Sequence, residues 1–391
     1  MVISVPAPSE TDVFVIGGGP AGIAAALAAR QVGFDVVLAD RARPPIDKAC
    51  GEGLMPDALD ALRRIGVNLR SGNGTCFRGI RFLDGELRAD ASFSGQSFGL
   101  GVRRTELHRV LVERAKDVGI VALWGKKVEG LDPAGVVVDG QTIRCRWIVG
   151  ADGFHSGVRR WAGLAPVWTD TRRIGLRRHF RARPWTDFVE VYWRKNCQAY
   201  VTPIGIDEIC VALVGTEDIR VADLADMFPI LAGRLGGAEL IGQTRGAISM
   251  SARLPSAIAG RIALVGDASG SVDAVTGEGL ALAFKQANSL ATALADGNLK
   301  RYDANHRRMA RMPRLFARTL MLLDGNDGLR RLAFRGLARH PRIFSHLLAV
   351  HVGGLRRPEL ANKAPLLPNS RAVIGGAEAS PSPQHRLPEI L

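Results

Sequence analysis

The stretch Gly17-Gly18-Gly19-Pro20-Ala21-Gly22 constrains this chain more than any other. It follows the apolar run Asp12-Val-Phe-Val-Ile16 and precedes the Ala-rich Ile23–Arg30, after which Gly33 leads into a second apolar run, Val36–Ala39. A strand, an unbroken helix and a strand in about thirty residues is the spacing of a parallel βαβ crossover. In that setting the glycines permit a tight turn, close backbone approach to a pyrophosphate and close helix packing. The helix N-terminus adds unpaired N–H groups and partial positive charge. Asp40 ends the second run, eighteen residues after Gly22, where a carboxylate can bond ribose hydroxyls. Gly17, Gly19, Gly22 and Asp40, with Arg41 beside it, are therefore predicted to bind a dinucleotide. The alternative is a glycine-rich turn that binds nothing.

The chain has 391 residues, 47% of them hydrophobic and 23% charged. That is enough apolar material for a sizeable core and enough length for two or three domains, and it excludes a mostly disordered protein. The five cysteines (Cys50, Cys76, Cys145, Cys197, Cys210) contain no CxxC pair. Their scatter argues against a disulfide scaffold and a zinc site and suits a reducing compartment. No metal is expected, because no histidine has ligand spacing. The start lacks the basic segment of a secretory signal, and the longest uncharged run, Val13–Ala29, is broken by glycines and Pro20. A cytoplasmic protein is the expectation.

Residues 57–66 and 104–118 read as helices, the latter from Leu107, Val110, Leu111 and Ala115 at helical spacing. Val136–Val138 and Trp147–Val149 read as strands. From about 168 to 255 the texture turns β-branched and alternating, in Phe188–Trp193, Ala199–Thr202 and Ile209–Val214. Ile262–Val265 returns to a buried-strand pattern ahead of a long helix, Gly279–Ala295.

Two further blocks decide which dinucleotide is bound. Val149-Gly-Ala-Asp152-Gly153-Phe-His155-Ser156-Gly-Val-Arg159 closes one strand. Gly266-Asp267-Ala268-Ser269-Gly270 closes another and runs through Thr276-Gly277-Glu278-Gly279-Leu280 into the long helix. With the first glycine block, in this order, the chain over roughly residues 10–295 resembles the FAD-dependent oxidoreductases, specifically the group A flavin monooxygenases (aromatic-ring hydroxylases) and the geranylgeranyl reductases. The resemblance implies an α/β fold with a Rossmann-like three-layer FAD domain, a mixed-sheet substrate domain and a helical C-terminal region. The boundaries it suggests are 10–167 and 256–298 for the FAD domain, the first part with substrate-side insertions, and 168–255 for the substrate sheet. A basic helical cap at 299–360 and a loosely ordered tail at 361–391 follow. It further implies that Gly17, Gly19 and Gly22 meet the FAD pyrophosphate and Asp40 the adenosine ribose. Arg104 would lie near the flavin chain, Asp267 would bond the ribityl chain, and Gly277, Gly279 and Leu280 would meet the N1/O2 edge. Asp152 would serve FAD and nicotinamide; its plainer reading is a strand-end turn residue.

Asp47-Lys48-Ala49-Cys50-Gly51-Glu52-Gly53-Leu54-Met55-Pro56 is similar to a stretch of the geranylgeranyl reductases and, more loosely, of flavin-dependent halogenases. This makes Cys50 and Glu52 the catalytic candidates, with a small buried cysteine as the alternative for Cys50. The reductases also carry an aromatic stretch whose nearest counterpart, Gln198-Ala-Tyr200-Val-Thr202-Pro203, keeps one aromatic and the proline. Tyr200, Thr202 and Pro203 are the substrate-side candidates. No Trp-x-Trp-x-Ile-Pro segment supports a halogenase. The Arg104–Leu111 and Asp152 blocks tilt the expectation to an NAD(P)H-using monooxygenase that hydroxylates a hydrophobic, aromatic or polyketide-like molecule through a flavin C4a-hydroperoxide. The alternative is reduction of an alkene in a prenyl or isoprenoid substrate, and a third reading is a non-catalytic relative of the fold.

The net charge of +14 is concentrated in one region: between Lys300 and Arg357 there are fourteen Lys and Arg against three acids. There Leu315, Phe316, Leu320, Leu332, Phe334, Ile343 and Leu347 alternate with arginines. Such a face suits peripheral contact with an anionic membrane, or a cover over the substrate cavity with solvated arginines. Nucleic acid is not expected, since aromatic residues are 6% and no recognition fold accompanies the charge. Of the histidines only His155 is singled out; His340, His346 and His351 read as surface or packing residues.

Overall fold

Val13-Phe-Val-Ile16 and Val36-Val-Leu-Ala39 are apolar at every position, which a strand tolerates only when both of its faces are covered. In the computed structural model, which describes residues 8–168, 172–216 and 219–353, they are neighbours at the centre of an eight-stranded sheet. The strand Glu10–Ile16 pairs in parallel with Val36–Asp40 on one side and with Gln141–Gly150 on the other. Outward lie Val121–Trp124 at one edge and Ile262–Leu264 with Ile258–Ala259 at the other, and the antiparallel strands Val128–Leu131 and Gly135–Val138 attach to Gln141–Gly150. The helices Pro20–Gln31, Arg104–Asp117 and Gly279–Ala295 cover one face and form the larger core. Pro20 at the first helical position supplies the φ a helix start needs and removes an N–H that would have no partner.

A second, seven-stranded sheet runs Glu239–Ser249, Arg173–Arg181, Glu208–Gly215, Cys197–Gly205, Val189–Arg194, Gly79–Asp84, Leu87–Ser92. The span 168–255 thus supplies five strands, and residues 79–92 supply two more. The junction is Val189–Arg194, which pairs in parallel with Gly79–Asp84. A small sheet of Gly53–Leu54, Gly99–Gly101 and Thr75–Phe77 bridges the two regions.

The basic C-terminal helices divide their work. Leu299–Met309 belongs with the first sheet: the Tyr302 hydroxyl donates to Leu264 O at 2.6 Å and Asp303 accepts from Ala257 N at 2.8 Å. Arg311–Gly325, Asp327–Arg339 and Pro341–His351 cover the second sheet, where fully buried Phe334 stacks on Phe82 with ring centres 5.1 Å apart. Two buried ion pairs pin this layer, Arg173 to Asp324 at 2.9 Å and Arg330 to Asp84 at 3.1 Å. No described helix is long and apolar enough to cross a membrane. Residues 354–391, including the tail at 361–391, lie outside the described residues.

Candidate functional site

Gly17 adopts φ +115°, and a Cβ there would fall 2.4 Å from Ala151 O; a Cβ on Gly22 would fall 1.8 Å from Gly17 O. These positions are closed to side chains by the protein's own backbone. Gly19 is different, because a Cβ built there meets nothing within 4 Å. It opens onto free space over the start of Pro20–Gln31, whose first N–H groups have no side-chain cap. The Asp40 carboxylate lies under the same loop, accepting Gly18 N at 2.6 Å and Ala42 N at 2.7 Å, and Arg41 is exposed beside it. His108, inside the Arg104–Leu111 block, also holds the loop. Its Nε2–H donates to Gly18 O at 2.8 Å, and burial pushes its pKa down from the usual histidine range. The available signal was spacing: His108 stands four residues after Arg104 and so shares its helix face.

Asp152 Oδ2 accepts from Gly157 N at 2.7 Å and Val158 N at 3.1 Å, which caps the short helix Gly157–Trp161. The turn role is therefore real, yet Asp152 Oδ1 is buried with no partner among the described residues. Asp267 is exposed in the turn Gly266–Ser269. That turn abuts the first helix, since a Cβ on Gly266 would sit 2.7 Å from Ala21 Cβ. Gly277, at φ +66°, turns the chain into Gly279–Ala295, whose first N–H groups, Gly279 and Leu280, again lack a side-chain cap.

The Cys50–Leu54 segment crosses between the sheets. Glu52 is 2% exposed and sits at φ +58°, a costly conformation for a residue with a Cβ. Its carboxylate is tied on two sides: Oε1 accepts Arg104 N at 2.9 Å and Oε2 accepts from His179 Nε2 at 2.7 Å. Strand Cys197–Gly205 lies directly beneath. The Thr202 hydroxyl donates to Gly51 O at 2.7 Å, and a Cβ on Gly101 would strike Pro203 O at 1.8 Å. The Tyr200 hydroxyl donates to Val275 O at 2.8 Å, joining this strand to the segment that leads into Gly279. Burial raises the Cys50 thiol above the usual range. Cys210 is raised further, also by burial, and its Sγ lies 3.7 Å from Cys50 O. Glu52, His179 and Cys210 place ligand atoms within 4.8 Å of one another, a juxtaposition that linear spacing does not reveal. The Arg177 guanidinium stands 3.9 Å from Glu52 Oε1 and sets positive charge beside the Glu52–His179 bond.

A second buried cluster joins residues from three separate elements that no sequence motif links. Glu278, 3% exposed, precedes the Gly279 helix without its side chain bonding the N–H groups there, and burial together with the nearby Asp57 charge pushes its pKa up to about 8. Lys285 pairs with Asp57, and His351, from the end of the last described helix, stands 3.7 Å from Glu278. Burial pulls His351 down to about 4.

Two uncapped helix starts, the open face at Gly19, an unpartnered carboxylate oxygen on Asp152 and the free Asp267 fit a dinucleotide with a pyrophosphate and polyol chain. Fold and site together define an FAD-dependent oxidoreductase of the group A flavoprotein type. Residues 10–204 match the FAD binding domain family. The chain is 28% identical to a menaquinone reductase of Mycolicibacterium smegmatis over 76% of this chain and 79% of that protein. It is 30% identical to a menaquinone reductase of Mycobacterium tuberculosis over 75% and 78%. A digeranylgeranylglycerophospholipid reductase of Methanocella arvoryzae matches at 26% over 76% and 83%. A 6-methylpretetramide 4-monooxygenase of Streptomyces rimosus matches at 35%, over 40% and 41%. The fold is shared with a flavoprotein/dehydrogenase from Cytophaga hutchinsonii (TM-score 0.77, 21% identity, 88% of this chain and 93% of that one). The chain belongs to the FAD-dependent oxidoreductase superfamily that contains these reductases and monooxygenases.

Proposed function

We propose that the protein is an FAD-dependent reductase of a lipophilic, prenyl-bearing substrate, with NAD(P)H as electron donor. One observation carries the choice over hydroxylation. The reductases named above are similar to this chain over about three quarters of its length. The monooxygenase is similar over 40% of it.

Bound FAD would supply two-electron hydride transfer. Gly17, Gly19 and Gly22 would hold its pyrophosphate, Asp40 its ribose, Asp152 and Asp267 its polyol chain, and Gly279 and Leu280 its N1/O2 edge, where a helix N-terminus favours negative charge. Arg104 would stand beside the flavin chain, since its backbone N–H is fixed to Glu52. Saturating a carbon–carbon double bond requires one hydride and one proton. The Cys50 thiol, kept protonated at neutral pH by burial, is suited to hold that proton. Glu52 and His179, bonded at 2.7 Å, form the polar path behind it toward a small cavity lined by Asp47, Arg177 and Arg245. Tyr200, Thr202 and Pro203, on the strand beneath the Cys50 segment, would support that segment on the substrate side.

The test is anaerobic reduction of the flavoprotein by NADPH and by NADH, followed by incubation with a prenylated quinone and mass analysis of the product. Gain of two hydrogens that persists after the quinone ring is reoxidised in air, and so lies in the prenyl chain, supports the reductase. Gain of one oxygen atom on readmission of air overturns it in favour of the hydroxylase, the reading that the Streptomyces rimosus relative supports. Cys50→Ala should retain the yellow flavin and lose turnover; full turnover would make the cysteine structural.

A further inference from the structure

We propose that the outward face of the three helices over the second sheet seats the protein on an anionic lipid bilayer. The inward faces of Arg311–Gly325, Asp327–Arg339 and Pro341–His351 are committed to the sheet through Ala317, Phe334, Phe344 and Leu348. Their other faces carry large apolar side chains into solvent: Leu315 is 56% exposed, Leu322 61%, Leu332 66%, Ile343 55% and Leu347 41%. Leu315 and Leu322 stand seven residues apart and Ile343 and Leu347 four apart, so each pair shares one helix face. A single exposed apolar side chain needs no explanation, but four leucines and an isoleucine in one helical layer do.

The charge between them has one sign. Arg318, Arg335, Arg339 and Arg342 are exposed and make no ion pair among the described residues. Of the acids on these helices, Asp324 is buried against Arg173, and Asp327 is paired with Arg330 at 2.9 Å. A second copy of the chain would bring like charge against this face. Nucleic acid would use the arginines and leave the leucines in water. An anionic bilayer takes both, headgroups on the arginines and the acyl boundary on the leucines.

The placement also bears on the site. Pro341–His351 has Ile343 and Leu347 on its outer side and ends with His351 beside Glu278. A bilayer against Ile343 and Leu347 would touch the same helix whose last residue stands beside Glu278. Docking does not depend on which reaction the flavin performs, and its test is read without turnover.

The purified full chain is sedimented with vesicles of phosphatidylcholine alone and with vesicles containing about a third phosphatidylglycerol. Binding should be at least about tenfold stronger to the anionic vesicles and should fall as salt is raised. Each arginine near such a surface contributes about 1 kcal/mol, so Arg335→Gln with Arg339→Gln should weaken binding about thirtyfold. Leu332→Asp with Ile343→Asp should abolish it. Flavin content and circular dichroism check that each variant is folded; if the aspartate pair misfolds, the glutamine pair decides. Equal binding to both vesicle types, or wild-type binding by folded variants, overturns the proposal. So does a dimer, dissociated by Leu332→Asp, in a protein that binds no vesicles.

Discussion

Gly19 and Gly22 lie three residues apart in one loop, yet their substitutions should fail in different ways. At Gly22 a Cβ would fall 1.8 Å from a backbone oxygen of the protein itself, so Gly22→Ala should cost about 1–3 kcal/mol of stability with or without flavin. At Gly19 nothing lies within 4 Å, so Gly19→Leu should leave the apoprotein's denaturant midpoint unchanged and remove flavin from the purified protein. A yellow Gly19→Leu protein would displace the pyrophosphate from this loop. Glu278 makes a second test at this scale, through pH. Its pKa in the fold, about 8, lies above the ordinary 4.5, so the native state binds the extra proton. Its stabilising contribution is complete below about pH 4.5 and is lost as pH rises through about 8. His351 has the opposite sign: pulled down to about 4 from 6.5, it stabilises above pH 6.5, and that contribution is lost as pH falls toward 4. Glu278→Gln should therefore gain on the wild type as pH is raised from about 6 to 9. Parallel stability curves over that range would count against a buried, protonated Glu278.

The elements show which parts of a fold announce themselves. The first strand, the helix after it and the strand Val36–Asp40 are legible because their signals are local: apolar runs, small residues and a proline at the helix start. Gly79–Asp84 and Leu87–Ser92 lack such a signal. Their burial alternates, but Arg81 occupies an inward position as the partner of Glu190 at 3.1 Å, so the apolar rhythm is broken by a buried ion pair. Their membership of the second sheet depends on Val189–Arg194, far along the chain, which no local pattern reports. The helical cover is attached by the same kind of contact. Arg173, fully buried in its strand, gives bonds to Asp324 at 2.9 Å and Val214 O at 3.0 Å and also to Gln198. Burial raises the Asp324 carboxyl despite that partner. Arg173→Leu leaves a buried carboxylate uncompensated and should cost about 3–5 kcal/mol, whereas changing both residues to apolar ones should cost much less. Urea midpoints for the single and double variants measure the difference. Equal losses in both would mean that the pair does not hold the helices.

At the scale of the whole molecule the glycine loop, Asp152, Asp267 and the Gly279 helix were legible one by one, since each motif is written in consecutive residues. The Glu52–His179 bond and the Glu278–His351 contact were not, because each joins residues from separate elements whose meeting is a property of the tertiary fold. Tyr200 touches Val275 and Thr202 touches Gly51, so strand Cys197–Gly205 binds both the Cys50 segment and the approach to Gly279. A flavin spanning from Gly19 to Gly279 would join the starts of two helices that already pack against each other in the larger core. Binding to the native state alone stabilises it by about 2.7 kcal/mol at a hundredfold excess of ligand over Kd. FAD titrated into apoprotein should raise the denaturant midpoint accordingly, and Gly19→Leu should not respond. Phe334→Ala, which empties a fully buried site under the helical cover, should be less stable by about 3–5 kcal/mol yet respond to FAD as the wild type does. A Phe334→Ala protein that no longer responds would mean that the cover and the flavin site fold as one unit. Wild-type response in Gly19→Leu would instead show that FAD is held without the loop that its glycines leave open.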